Sequence, residues 1–96
     1  DDGVARAPPA LAGLLEIRGL GILRLPHLGA ARLALAARLV PGGEVARLPE
    51  RAGQVFGVPE ILLDPRPASA AILLDRALDA ATGRLACVAG AFAGAP

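Results

Sequence analysis

The chain has 96 residues, room for one domain of modest size and not for two. Hydrophobic residues make up 54% and charged residues 20%, which suits a packed core and argues against wholesale disorder. Net charge is +1, with ten Arg spread along the length and no Lys. This excludes a phosphate-binding loop of the form G-x-x-x-x-G-K-[ST], a Schiff-base enzyme and, with two Phe as the only aromatics, a nucleic-acid stacking platform.

There is no Met, and Asp1 reads as the edge of a longer protein. Asp1-Asp2-Gly3 is a hairpin-type turn signal, and Val4 to Ala7 reads as a short strand. Pro8-Pro9 breaks regular structure and forces an extended path. Leu11 to Arg18, the bend around Gly19 and Gly21, and Ile22 to Leu25 read as a strand, a glycine-bearing turn and a strand-like exit. Pro26 and Gly29 delimit a loop holding His27, the only His, which reads as a solvated loop residue.

From Arg32 to Leu39 the pattern alternates. Leu33, Leu35, Ala37 and Leu39 fall on one face and Arg32, Ala34, Ala36 and Arg38 on the other, so a half-buried strand is favoured over a helix. Pro41-Gly42-Gly43 ends it. Glu44 to Gln54, interrupted by Pro49, reads as two short helical turns, and Ile61-Leu62-Leu63 as a short strand. After the stiff Asp64-Pro65-Arg66-Pro67 loop, Ser69 is placed to cap a helix over residues 70–81. Its apolar stripe is Leu73, Leu74, Ala77, Leu78 and Ala81, and Gly83 stops it.

Residues 85–96 form a low-complexity tail. Its Cys87 is the only Cys, so no internal disulfide forms, and with one His there is no Cys/His metal cluster. Cys87 reads as a small buried hydrophobe in a reducing compartment. No apolar run is long enough to span a membrane.

One segment is sharp: Leu14-Leu15-Glu16-Ile17-Arg18-Gly19-Leu20-Gly21-Ile22. On a strand, Glu16 and Arg18 share a face. A carboxylate on a rigid strand suits Mg²⁺, which takes one or two carboxylates plus phosphate oxygens. Arg18 suits a phosphate, and the glycines let backbone N–H groups approach an anion. The competing reading is an ordinary surface Glu–Arg pair of little energetic weight.

With Pro8-Pro9 ahead of it, this segment resembles the signature of the HPr kinase/phosphorylase family. The resemblance spans about Val4 to Ala81, and the short loop after Ile22 looks like the compact proteobacterial branch. It implies an α/β fold, the C-terminal part of a P-loop-containing, PEP-carboxykinase-like kinase domain with a mixed sheet and a C-terminal helix. Residues 1–84 would be that partial domain. The implied activity is ATP- and Mg²⁺-dependent phosphorylation of a serine of HPr, the phosphocarrier of the bacterial sugar phosphotransferase system, in the cytoplasm, with no membrane or nucleic-acid partner.

By the same resemblance Glu16 is the Mg²⁺ ligand, Arg18, Gly19 and Gly21 belong to the catalytic segment, and Arg47 matches a later catalytic Arg. The family assembles as hexamers, which allows a homo-oligomer. The P-loop is missing from this chain, so the chain alone is expected to be inactive. Asp1-Asp2 invites assignment to the family's catalytic Asp pair, but it lies too close to Pro8-Pro9 and fits a turn better. Pro65 to Ser69 lacks the Gly-Arg of the family's phosphorylase loop, so dephosphorylation is not expected. The alternative is a non-catalytic remnant that binds a partner through exposed strand edges.

Overall fold

The computed structural model describes residues 3–93. It is a mixed α/β structure of small sheets and one C-terminal helix, divided into two compact units, Asp1–Leu33 and Ala34–Pro96.

In the first unit β1 (Val4–Ala5) pairs antiparallel with β4 (Ala31–Arg32), and the pairing is extended by the Leu33 N–H donating to the Gly3 carbonyl at 2.8 Å. Asp1 and Asp2 lie outside the described residues; Gly3 has the positive φ, +73°, of a turn glycine. Pro8 is extended as expected, but Pro9–Leu11 forms a single 3₁₀ turn, because proline's fixed φ suits the first position of such a turn as well as it suits extension. β2 (Leu14–Ile17) and β3 (Gly21–Arg24) then form an antiparallel hairpin.

The second unit holds β5 (Ala36–Leu39), a 3₁₀ turn at Gly42–Glu44, β6 (Gly53–Val55), β7 (Val58–Leu63) and α1 (Ala70–Ala81). The sheet order is β5-β7-β6, with β5 parallel and β6 antiparallel to β7. Pro59 is tolerated in this central strand because β5 pairs only with Glu60 to Leu63, so the missing N–H removes no ladder bond on that side. Leu63 at the end of β7 is the one buried hydrophobic residue among those described, 5% exposed. The core of this unit therefore sits on β7, against which α1 packs.

Three expectations need correction. The single alternating strand over Arg32 to Leu39 is two strands, β4 and β5, in different sheets, and Leu33 to Ala36 are all half-buried with no alternation. Neither of the two helical turns over Glu44 to Gln54 forms: a 3₁₀ turn at Gly42–Glu44 only reaches the start of that segment, residues 45–52 are bends and irregular backbone, and its end is a strand, β6. Ser69 does not cap α1. Its φ and ψ of −80° and −4° continue the turn in which Ala70 N–H donates to Pro67 O at 3.0 Å, so its hydroxyl is not set to face the first free amides.

The helix itself runs over the expected residues. Its end is a Schellman motif: Gly83 at φ +81° lets its N–H bond Ala80 O at 3.3 Å and Arg84 N–H bond Asp79 O at 2.8 Å. The apolar stripe is only partly covered, with Ala77 and Ala81 half-buried but Leu73 and Leu78 exposed. Cys87 is half-buried rather than buried, and its thiol faces Ala89 O at 3.3 Å. Residues 85–93 are tied to the entry of β6 by Ala52 N–H donating to Ala91 O at 2.9 Å.

Candidate functional site

The β2–β3 hairpin is organised by its turn. Leu20 N–H donates to Ile17 O at 2.9 Å, and Gly19 adopts φ +85°, a conformation that costs an L-residue roughly 1–2 kcal/mol. Gly21 opens β3 at φ +128°. A Cβ on either glycine would meet open space, so both are required by backbone conformation and not by close packing. The Leu20 amide is already taken by Ile17, which leaves fewer turn N–H groups for an anion than the two glycines suggest.

Glu16 lies on β2, opposite Ile22, and is exposed. It makes no ion pair with another described residue. Arg18 is not its same-face neighbour. The strand ends at Ile17, and Arg18 sits in the turn, outside the period-two alternation that the expectation relied on. The guanidinium that shares the Glu16 face belongs to Arg24. It pairs with Leu14, two residues from Glu16, and so sits diagonally across the hairpin from the carboxylate. The resemblance includes Arg24 only as the end of the Leu15 to Arg24 segment and gives it no role of its own, because only the three-residue loop sets this register. Leu15, Ile17 and Leu23 occupy the opposite face.

At the far end of the hairpin, Leu25 N–H donates to Gly13 O at 2.7 Å. Gly13 has φ +78°, and a Cβ there would come within 2.5 Å of the His27 ring. His27 Nδ1 lies 3.2 Å from Leu25 O. The loop histidine, though exposed, thus closes over a glycine instead of standing free in solvent.

The hairpin carries Glu16, Arg18, Gly19 and Gly21, with Arg18 in the turn and off the Glu16 face. Arg47 belongs to the other unit, exposed in the bend that follows the 3₁₀ turn. Among the described residues no group of three or more His, Cys, Asp and Glu is placed to hold a metal. Glu16 therefore fits a Mg²⁺ shell only as its single protein carboxylate, the rest coming from phosphate and water. Without Lys the chain has no P-loop cradle for ATP. No helix among the described residues is long and apolar enough to cross a membrane.

The second unit carries its own charged loop. Asp64 accepts from Arg66 N at 3.1 Å and Nε at 2.9 Å on one oxygen, and from Nη2 at 3.1 Å on the other. These bonds, the side-chain ones first, hold the Asp64 carboxyl below the usual carboxylate range, and Asp64 in turn raises the pKa of Arg66. On the sheet Arg38 pairs with Glu60 at 3.1 Å.

No protein-family model matches the chain, and no curated protein matches it at a significant level.

Proposed function

We propose that this chain is the metal-ligand-bearing part of an HPr-kinase-type protein serine kinase, acting with ATP and Mg²⁺ on a serine of HPr in the cytoplasm. The observation that supports it is Glu16, an exposed carboxylate on a short hairpin strand, free of any ion pair among the described residues and followed by the Gly19 and Gly21 turn. Phosphoryl transfer needs charge neutralisation on the phosphates, which bound Mg²⁺ supplies. Glu16 would hold that ion. Arg24 on its face and Arg18 in the turn would orient phosphate oxygens.

The nucleotide cradle must come from other residues than these, since the chain has no Lys. The purified 96-residue chain is therefore expected neither to hydrolyse ATP nor to phosphorylate HPr. The deciding experiment begins with the coding sequence ahead of Asp1. An in-frame G-x-x-x-x-G-K-[ST] within about 60 residues is expected. The longer protein should then phosphorylate HPr, and Glu16→Gln should reduce that rate by about 10²-fold or more, as loss of a charge-stabilising group does. Absence of the motif, or Glu16-dependent phosphotransfer by the 96-residue chain alone, would overturn this reading.

A second reading, a non-catalytic interaction module, is favoured by the exposure of Ile22 and Leu28 in the first unit and of Ile72 in the second, with Leu63 the only buried hydrophobic residue among those described. The same upstream sequence separates the two.

A further inference from the structure

We infer that a cleft in the second unit binds an apolar anion of the medium-chain fatty acid class. The cleft is an open one that runs between residues 45–49, β7, α1 and the 87–92 segment, with a volume of about 330 Å³. A neighbouring lobe of about 320 Å³ shares Val45, Ile61 and Leu62 with it. Together these reach the size of small-molecule sites, which are apolar with a few polar groups that orient the ligand.

The charge pattern selects the occupant. The lining of the first lobe includes Arg47 and Arg76 and no Asp or Glu. Arg47 has no ion-pair partner among the described residues, and Arg76 has only a 3.8 Å approach to Asp79. Both are exposed while contributing to the lining, and a long Arg side chain can cover apolar surface with its stem while its guanidinium stays in water. Leu73, on the same wall, is 46% exposed, apolar surface that a hydrocarbon tail would cover. A carboxylate head would pair with the guanidiniums. A neutral ligand leaves them unused, and a cation is repelled.

The second lobe carries Glu44 and Glu60 beside Arg51, so the anionic head belongs in the first lobe and the tail runs toward Ile61 and Leu62. This proposal goes beyond the kinase reading. It uses Arg76 as well as Arg47, and its test reads ligand binding alone.

The full chain is titrated with decanoate, and with decanol and decyltrimethylammonium as neutral and cationic probes of equal tail length, following amide NMR shifts of Leu73, Ala77 and Ala91. Saturable decanoate binding about tenfold tighter than decanol is expected, with shifts confined to these walls. Arg47→Gln with Arg76→Gln should bring decanoate to the level of decanol while the spectrum stays dispersed. Equal affinity for decanoate and decanol, binding that does not saturate, or binding unchanged in the double variant would overturn the proposal. So would self-association through this face that decanoate does not displace.

Discussion

Two hairpin turns in this molecule reverse the chain by different means. In β2–β3 three residues, Arg18 to Leu20, span the reversal, and the left-handed backbone falls on Gly19 and on Gly21 at the head of β3. In β6–β7 only two residues span it, Phe56 at φ 51° and Gly57 at φ 76°, the pair of positive values that marks a type I′ turn. Type I′ geometry matches strand twist well but demands a left-handed conformation at both positions. Half of that demand lands on a bulky aromatic residue that is 65% exposed, so burial does not offset the strain. The first turn follows the strand that carries the candidate carboxylate and reverses it on an unstrained glycine bend. The second places strain at the head of the strand that forms one wall of the cleft.

Exchanging the demand between the two turns breaks this contrast. Gly19→Ala places a Cβ where φ is +85°, and should destabilise the β2–β3 hairpin by about 1–2 kcal/mol. Faster amide exchange at the strand amides of Leu15 and Leu23 relative to the β6–β7 amides reads this. Unchanged exchange would mean that the turn tolerates a side chain and that its glycine is there for another reason. Phe56→Asn gives the Asn-Gly pair that type I′ turns favour, and should stabilise the β6–β7 hairpin by about 1 kcal/mol. Slower exchange across Val55 and Val58 reads it. A loss of protection would show that the exposed ring holds the turn through contacts worth more than its strain.

The same contrast explains what the sequence made legible. The Glu16 hairpin could be read because glycines punctuate it locally. The β6–β7 hairpin could not, because a Phe in the left-handed region leaves half of the turn without its usual residue, and Glu44 to Gln54 reads as helical turns instead. Helix α1 was legible to the residue, since its 3.6-residue period and the Gly83 stop are local signals. Its Ser69 cap was not, because a serine is an equally good turn residue and only the dihedrals separate the two roles. The break between β4 and β5 carries no Gly or Pro, and the Leu–Ala alternation continues through it, so nothing local marks the change of sheet. Arg24 failed for a non-local reason: which residue faces Glu16 depends on cross-strand register.

The smallest expected effect lies at the opposite end of β7 from its strained turn, where Asp64 clasps Arg66. A Cβ on Gly42 would stand 2.6 Å from the Asp64 carboxylate, so the clasp leaves no room for a side chain there, in the turn that follows β5. The Asp64 pKa is lowered in the folded chain, chiefly by the Arg66 side-chain hydrogen bonds. Its contribution to stability is therefore present above the unfolded carboxyl value, about 3.9, and is lost as pH falls through the lower folded value. The pair is open to solvent, which keeps that contribution small. The Arg66 Nε–H resonance should titrate with a midpoint below the ordinary aspartate value, and Asp64→Asn should abolish the titration while leaving amide exchange across Val55 and Val58 unchanged. A midpoint at or above the ordinary aspartate value would mean that the clasp is not formed in solution. If exchange at Val55 and Val58 accelerated in Asp64→Asn, the clasp and the turn would be acting on β7 as one unit, and the strain at Phe56 would be held in place from the strand's far end.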